Sequence, residues 1–262
     1  MFLELYGLAA LTVLAVVIAL WLLSLPLRDA SIIDMAWGPL FVAIVWVLLP
    51  ATGAALTAKV YFVSLFTTLW GMRLAVHLLR RNLGSGEDRR YQLWREHGGP
   101  WWWLKSLYRV YLLQGVLALL VATPIIAAFW APDHFSAVNL IGAGIWVVGF
   151  CYELVADIQL ERYLARCDED KPDVMSEGLW AWSRHPNYFG DALQWWGLGL
   201  VAFSAAAWWA LIGPVVMTAI FLGLSNDILE KGLSKRRKGY AEYVTNTPKF
   251  FPWPSRRATD SP

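Results

Sequence analysis

From Ala192 to Asn226 the chain runs for more than thirty residues without a single Lys, Arg, Asp or Glu. A folded domain in water exposes charged groups at much shorter intervals, so this stretch alone points to a hydrocarbon surrounding. It does not stand alone. Of 262 residues, 58% are hydrophobic and only 16% charged, and several further apolar runs reach the ~20 residues that a bilayer crossing needs. The expected fold is an all-α polytopic membrane protein. The first apolar run, Tyr6 to Leu27, lacks a basic leading segment and is too long for a signal-peptide core, so it reads as a retained helix.

The runs and the turns between them predict about seven transmembrane helices in a single membrane domain over 1–262: about 6–27, 35–49, 59–79, 107–130, 138–160, 187–204 and 208–225, followed by a polar tail over 226–262. Arg80 to Ser106 and Glu161 to Arg184 read as long polar loops. Basic residues concentrate in these two loops and in the tail, while the turns near Ala51 and Ala131 carry almost none. Positive-inside logic places the three basic segments in the cytoplasm, and seven crossings then put the N-terminus outside. A bacterial inner membrane with the site facing the cytoplasm is the expected location. No internal repeat of the transporter type is visible.

Other classes are excluded by simple counts. A net charge of +2 makes no case for nucleic acid. The cysteines Cys151 and Cys167 fall in an apolar helix and a loop, which argues against a disulfide and leaves no C-x-x-C spacing. The four histidines form no metal motif, so no metal is expected.

The most informative stretch is Trp182 to Trp196, where a polar loop turns into the charge-free block. Pro186 suits a first helical turn, where its missing N–H has no partner to lose. Arg184 and His185 precede it and can meet an anion with help from the helix start. Asn187 and Asp191, four apart, share a helix face. With Tyr188 they bring five kinds of polar group to one membrane boundary, where such groups are functional candidates by default. An interfacial anchor is the competing reading.

Elsewhere, Arg73 and His77 lie one turn apart near the end of the third helix, and Arg73 is deep enough to need an internal partner: Asp34, Glu153 or Asp157. Asp34 doubles as a possible cap of the second helix. Arg80 and Arg81 read as snorkelling side chains, and Trp101 to Trp103 as an interfacial belt. The small residues Gly142 and Gly144 suggest close helix packing. Segment 84–91 can clasp a polar ligand or start a solvated helix. Arg236, Arg237 and Lys238 with Tyr240 and Tyr243 offer phosphate donors and ring surfaces, or a lipid-facing basic patch. The Phe250-Phe251-Pro252 end suggests that the tail packs back on the body.

The order of these parts, an Arg-His-Pro-Asn-Tyr-Phe-Gly-Asp turn at 184–191 entering an apolar hairpin, then Tyr-x-x-Tyr at 240–243 and Thr247-Pro248-Lys249-Phe250-Phe251-Pro252, resembles the steroid 5-alpha reductase-like superfamily, most closely its bacterial branch of uncharacterised membrane proteins. Trp70 to Leu74, Arg80 to Asn82, Glu87 to Tyr91 and the Asp34 segment are similar as well. The resemblance implies a seven-helix fold and NADPH-dependent reduction of an activated C=C bond in a lipid-like or steroid-like substrate. It implies cofactor positions at Asp157, Asn187 and Asp191, and also at Arg184, His185, Tyr188, Arg236, Tyr240 and Tyr243; Arg162, at the start of the second polar loop, is a further candidate for the cofactor's phosphates. The steroid-reducing members use a Gln-Glu pair and a Tyr that have no direct match here. Asp34 stands nearest the Glu, and carbonyl activation falls to Asp34, His77, Arg73 or Tyr91. Membrane methyltransferases that use S-adenosylmethionine share the Arg-His-Pro-x-Tyr turn, and Glu230 suits their tail carboxylate. They form the alternative reading, with a non-enzymatic lipid-binding protein third. The expected partners are membrane lipids and a lipophilic small molecule.

Overall fold

The computed structural model describes residues 1–53, 57–82, 84, 86–130, 134–167, 171–224 and 239–254, and among them every regular element is helical. Four of these helices are long and apolar enough to cross a membrane: Phe2–Leu27, Ala58–Asn82, Arg89–Val121 and Ala137–Leu164. Shorter apolar helices occupy Trp37–Thr52 and Trp208–Gly223. The protein is an integral membrane protein with several apolar helices. All seven expected segments are helical, but the sixth, Pro186–Ala202, is only 17 residues long. Its start at Pro186 is the one expected from proline chemistry.

The chain divides into two compact units, Met1–Leu140 with Leu198–Gly213, and Ile141–Gly197 with Pro214–Pro262.

In the first unit, α1 (Phe2–Leu27) buries Leu5, Ala9, Val13 and Val17, a stripe of spacing four, and leaves Leu11, Leu14, Leu22 and Leu23 exposed. Apolar side chains all round a helix are what lipid on one side and protein on the other require. A short helix α2 (Ile32–Met35) leads into α3 (Trp37–Thr52), which packs on α4 (Ala58–Asn82). These two meet backbone to backbone: a Cβ on Gly38 would stand 2.4 Å from the Gly71 carbonyl oxygen.

The segment expected to be a loop as far as Ser106 is largely helical. Asp88 caps α5 (Arg89–Gly98), its Oδ1 accepting from the Arg90 backbone N–H at 2.8 Å. A short α6 (Trp102–Ser106) then runs into a π-helical turn at Leu107–Leu112 and α7 (Leu113–Val121). The fourth expected helix does not continue to Trp130 unbroken. It ends at Val121, and α8 (Thr123–Trp130) begins anew. Pro124 has no N–H to continue the ladder, and Thr123 Oγ1 accepts from the Gly213 N–H at 2.8 Å at the same point.

The unit also holds the end of the charge-free block. Asn139 donates to the carbonyls of Leu200, Val201 and Phe203 at 2.9–3.0 Å, and Lys59 Nζ donates to the Phe203 carbonyl at 3.2 Å. Helix ends leave carbonyls without partners, and here a fully buried amide and ammonium supply the donors.

In the second unit, α9 (Ala137–Leu164) and α10 (Pro186–Ala202) approach as closely as α3 and α4. A Cβ on Gly190 would lie 2.6 Å from the Glu153 backbone nitrogen, and one on Gly197 2.6 Å from that of Trp146. Gly149 faces the Gly190 carbonyl oxygen in the same way. Gly144, expected to serve such packing, has nothing within 4 Å. The polar loop after α9 is pinned to that helix: Gln159 Oε1 accepts from the Leu179 N–H at 2.9 Å, and Trp180 Nε1 donates to the Ala156 carbonyl at 3.0 Å. On the other side of α10, Trp196 Nε1 donates to Thr218 on α11 (Ile212–Leu224) at 3.1 Å. Both cysteines are free, as expected, and exposed.

The tail packs back as the sequence suggests. Helix α12 (Tyr240–Asn246) buries both tyrosines, and Tyr243 donates to the Trp180 carbonyl at 2.6 Å. Beyond it, the Arg184 N–H donates to the Pro248 carbonyl and the Trp253 N–H to the Trp182 carbonyl, each at 2.9 Å, and Ser183 Oγ donates to Phe250 at 2.9 Å.

Candidate functional site

Two constellations of polar groups stand out, one in each unit. In the first unit, Asp34 lies in the short helix α2, just before α3. It does not cap that helix: Ala36 occupies the cap position with no side-chain bond. Its carboxylate turns instead to α5 and α7. Oδ1 accepts from the Tyr91 hydroxyl at 2.7 Å and from Gln114 Nε2 at 3.4 Å, and Oδ2 accepts from Arg90 at 3.0 Å. Gln114 Nε2 also reaches the Tyr91 oxygen at 3.2 Å.

Arg90 is shared with the capping residue Asp88, whose Oδ1 takes its Nε at 3.0 Å. Burial raises the Asp34 carboxyl above the ordinary aspartate range, against the lowering effect of Tyr91, Arg90 and Gln114. Burial pushes Asp88 the same way, but there the bonds and charge of Arg90 win and hold it below that range. Beneath this network Glu87, 7% exposed, clamps the turn before α2: it accepts from the Ala30 N–H at 2.8 Å and from Arg95 at 2.7 and 3.0 Å. Glu87, Asp88 and Ser31 line a surface cleft of about 390 Å³.

Arg90 is therefore the ionic partner of Asp34, and Arg73 is not among that carboxylate's partners. Arg73 lies on α4 with its Nε and one terminal nitrogen buried, and His77 follows one turn later, half-buried. Arg80 and Arg81 close that helix in exposed positions, consistent with snorkelling.

In the second unit, the glycine-mediated approach of α9 and α10 sets side chains face to face. Glu153, Asp157, Asp191 and Gln194 are all buried. Gln194 Nε2 donates to Glu153 Oε2 at 2.6 Å, and Asn187 Nδ2 donates to Asp157 Oδ1 at 3.3 Å. Gln194 is 1% exposed, and its Oε1 is buried without a hydrogen-bond partner. A buried acceptor left open is costly and calls for an explanation.

At the entrance to α10 the rings of His185, Tyr188 and Phe221 stack in order, with centroids 5.2 and 5.0 Å apart and interplanar angles of 7° and 18°. Arg184 follows the turn, half-buried, with Nε enclosed. Arg162 is exposed on the last turn of α9. Tyr240 and Tyr243 are buried against each other rather than open, with centroids 5.9 Å apart. Arg236 and Glu230 lie outside the described residues.

Asp34 and Tyr91 are thus brought together, as are Asp157 with Asn187 and His185 with Tyr188. Five partners escape the sequence reading: Arg90, Gln114, Gln194 and the capping pair Lys59 and Asn139. The signal for two of them was present. Gln114 and Gln194 are amides in otherwise apolar runs, where a polar side chain needs a reason.

One protein family, described as a protein of unknown function (DUF1295), matches residues 20–247. An uncharacterised protein of Schizosaccharomyces pombe is 26% identical over 261 residues, covering 89% of this chain and 75% of the yeast protein. No solved structure matches the chain.

Proposed function

The chain belongs to the DUF1295 family, and we propose that it is an NADPH-dependent reductase of an activated C=C bond, of the enone type, in a lipid-like substrate. The observation that carries this reading is the buried polar seam between α9 and α10, with the open Gln194 acceptor inside it. Such a seam within apolar helices asks for a ligand rich in donors. NADPH fits that donor set. Its carboxamide N–H suits Gln194 Oε1, its ribose hydroxyls suit Asp157 and Asp191, and Asn187 can bond either. Arg184, Arg162 and Arg236 suit its phosphates by their chemistry, and the His185–Tyr188–Phe221 stack offers a ring surface. Tyr240 and Tyr243 lie against each other in the tail, where Tyr243 donates to the Trp180 carbonyl at 2.6 Å, and are the tail's candidates for this cofactor. The resemblance to the steroid 5-alpha reductase-like superfamily supports the same reading.

When bound, the cofactor supplies hydride. The chain's own contribution is at the substrate's oxygen. Tyr91 presents a hydroxyl donor whose position is set by Asp34, and a donor aimed at a carbonyl oxygen stabilises the enolate that develops there. Seven crossings with the basic loops inside would open the cofactor side to the cytoplasm of a bacterial inner membrane.

The test is thermal unfolding of the detergent-purified chain with NADPH, NADH and S-adenosylmethionine in parallel, since a ligand of the native state raises apparent stability. NADPH should raise the melting temperature, and Asn187→Ala or Gln194→Leu should remove the rise. A shift with S-adenosylmethionine alone would replace reduction by methyl transfer, and no shift with any nucleotide would favour a lipid-binding protein.

A further inference from the structure

Gln114 does more than fill space beside Tyr91. It follows the π-helical turn at Leu107–Leu112, and such a wide turn adds the equivalent of one residue. Everything beyond it is carried round the axis by about 100° relative to an unbroken α-helix. That rotation is anchored, because Tyr111 within the turn is fully buried and its hydroxyl donates to the Ala30 carbonyl at 3.3 Å. The result is an amide that looks at two oxygens at once: Nε2 is 3.2 Å from the Tyr91 hydroxyl oxygen and 3.4 Å from Asp34 Oδ1. The Tyr91 proton meanwhile points at the same Oδ1 at 2.7 Å.

This triangle raises a difficulty for any use of Tyr91 as a donor. The phenol cannot turn its proton to a ligand without taking it from Asp34, and a half-buried carboxylate oxygen resists losing its donor. Arg90 does not solve the problem, because it bonds the other oxygen, Oδ2, and is tied to Asp88. Gln114 does. Its amide already stands within reach of Oδ1 and needs only to shift weight from one oxygen to the other.

Resting on the reductase reading, we propose that Gln114 is a positioning residue that replaces Tyr91 as the donor to Asp34 Oδ1, freeing the Tyr91 hydroxyl for the oxygen of an oxo-bearing ligand. In the resting state Tyr91 donates to Asp34 Oδ1 at 2.7 Å, and the Gln114 amide is divided between the Tyr91 oxygen at 3.2 Å and Oδ1 at 3.4 Å. In the engaged state Tyr91 donates to the ligand oxygen and Gln114 donates to Asp34. No covalent bond changes: the Tyr91 oxygen gives up the Gln114 donor, and Asp34 Oδ1 is never left without one.

The experiment uses the full chain in detergent with NADPH and 4-decylcyclohex-2-enone as the probe, in wild type, Gln114→Leu and Gln114→Glu. Gln114→Leu should lower kcat by at least about tenfold, the effect of losing one bond to a charged group, with KM changed by less than about threefold. Gln114→Glu should be equally poor at about pH 8 and recover toward about pH 5.5, where a protonated carboxyl offers an O–H in place of the amide N–H. A Gln114→Leu kcat within about twofold of wild type, or a Gln114→Glu pH profile identical to wild type, overturns the proposal.

If wild type consumes no NADPH with this probe, the reductase reading fails for it, and a second arm decides the role of Gln114 separately. With 3-fluorotyrosine installed at position 91, the fluorine resonance should move in Gln114→Leu and return in Gln114→Glu at low pH. A resonance indifferent to both changes overturns the proposal without any turnover.

Discussion

Replacing Gly190 by Ala tests whether the close crossing of α9 and α10 is what builds the polar seam. The added Cβ would stand 2.6 Å from the Glu153 nitrogen and 2.9 Å from its Cα and Cβ. These atoms belong to the helix itself, so no side chain can swing away. Ordinary contact begins at 3.4 Å, so the helices must part locally by about 0.8 Å. The Gln194 to Glu153 bond, now 2.6 Å, would stretch to the edge of hydrogen-bond range, and the Asn187 to Asp157 bond, already 3.3 Å, would pass beyond it. Overpacking of this kind costs about 1–3 kcal/mol, and a weakened bond to a buried carboxylate about 1.5–3 kcal/mol more. The better helix propensity of Ala returns at most about 1 kcal/mol. A net loss of about 3 kcal/mol should lower the melting temperature by roughly 6–12 °C. Gly144→Ala is the control, because it lies on the same α9 with open space around it; it should be neutral or slightly stabilising. The assay is thermal unfolding in detergent, with the NADPH-induced shift measured on both variants. If Gly190→Ala melts and responds like Gly144→Ala, the crossing does not set the seam and the argument fails.

The pH dependence of stability checks the Asp34 network. Burial raises the Asp34 carboxyl above its ordinary value of 3.8, so it favours the fold while protonated and withdraws that support as pH rises through its folded value. Asp88, lowered by Arg90, works in the opposite sense, adding stability above 3.8 and losing it as pH falls through its folded value. Asp34→Asn removes only the first contribution, so its melting temperature should climb more steeply than that of wild type from about pH 4 to 7; equal slopes would mean that Asp34 ionises in the ordinary range. Tyr243→Phe takes the donor from the Trp180 carbonyl and should cost about 1–2 kcal/mol. It should also speed proteolysis near residues 239–254, and an unchanged cleavage rate would show that the tail is held by its rings alone. Lys59→Met strips a donor from the Phe203 carbonyl at a fully buried position and should cost about 1–3 kcal/mol by thermal unfolding. A neutral or stabilising result would mean that removing the buried charge outweighs the lost bond.

What could be read from the sequence divides along a physical line. The apolar helices were legible because each is a property of one contiguous run, and a charge-free stretch such as Ala192 to Asn226 has no alternative in water. Pro186 marked the start of α10 for an equally local reason. The helix at Arg89–Gly98 was legible only as one of two readings of segment 84–91, because its composition is polar, although Asp88 offered a capping signal. The sites were only half legible, because each depends on which faces meet. Asn187 with Asp157 and His185 with Tyr188 could be guessed as neighbours of one boundary. The Asp34 partnership could not, since Asp34 and Gln114 lie 80 residues apart.

Even a correct list of helices would have misplaced Gln114, because a regular helix through 107–112 turns it about 100° away. Polar residues in apolar runs can be picked out from composition, but their partners are decided by irregularities that composition does not encode. In this chain those irregularities are the π turn, the break at Pro124 and the glycines at 38, 71, 149, 190 and 197. The π turn places Gln114 where it meets Tyr91 and Asp34, and Gly149, Gly190 and Gly197 bring α9 and α10 close enough for Gln194 to meet Glu153. A substitution that regularises the backbone at any of these points should therefore disturb the polar clusters more than one that removes an exposed charge.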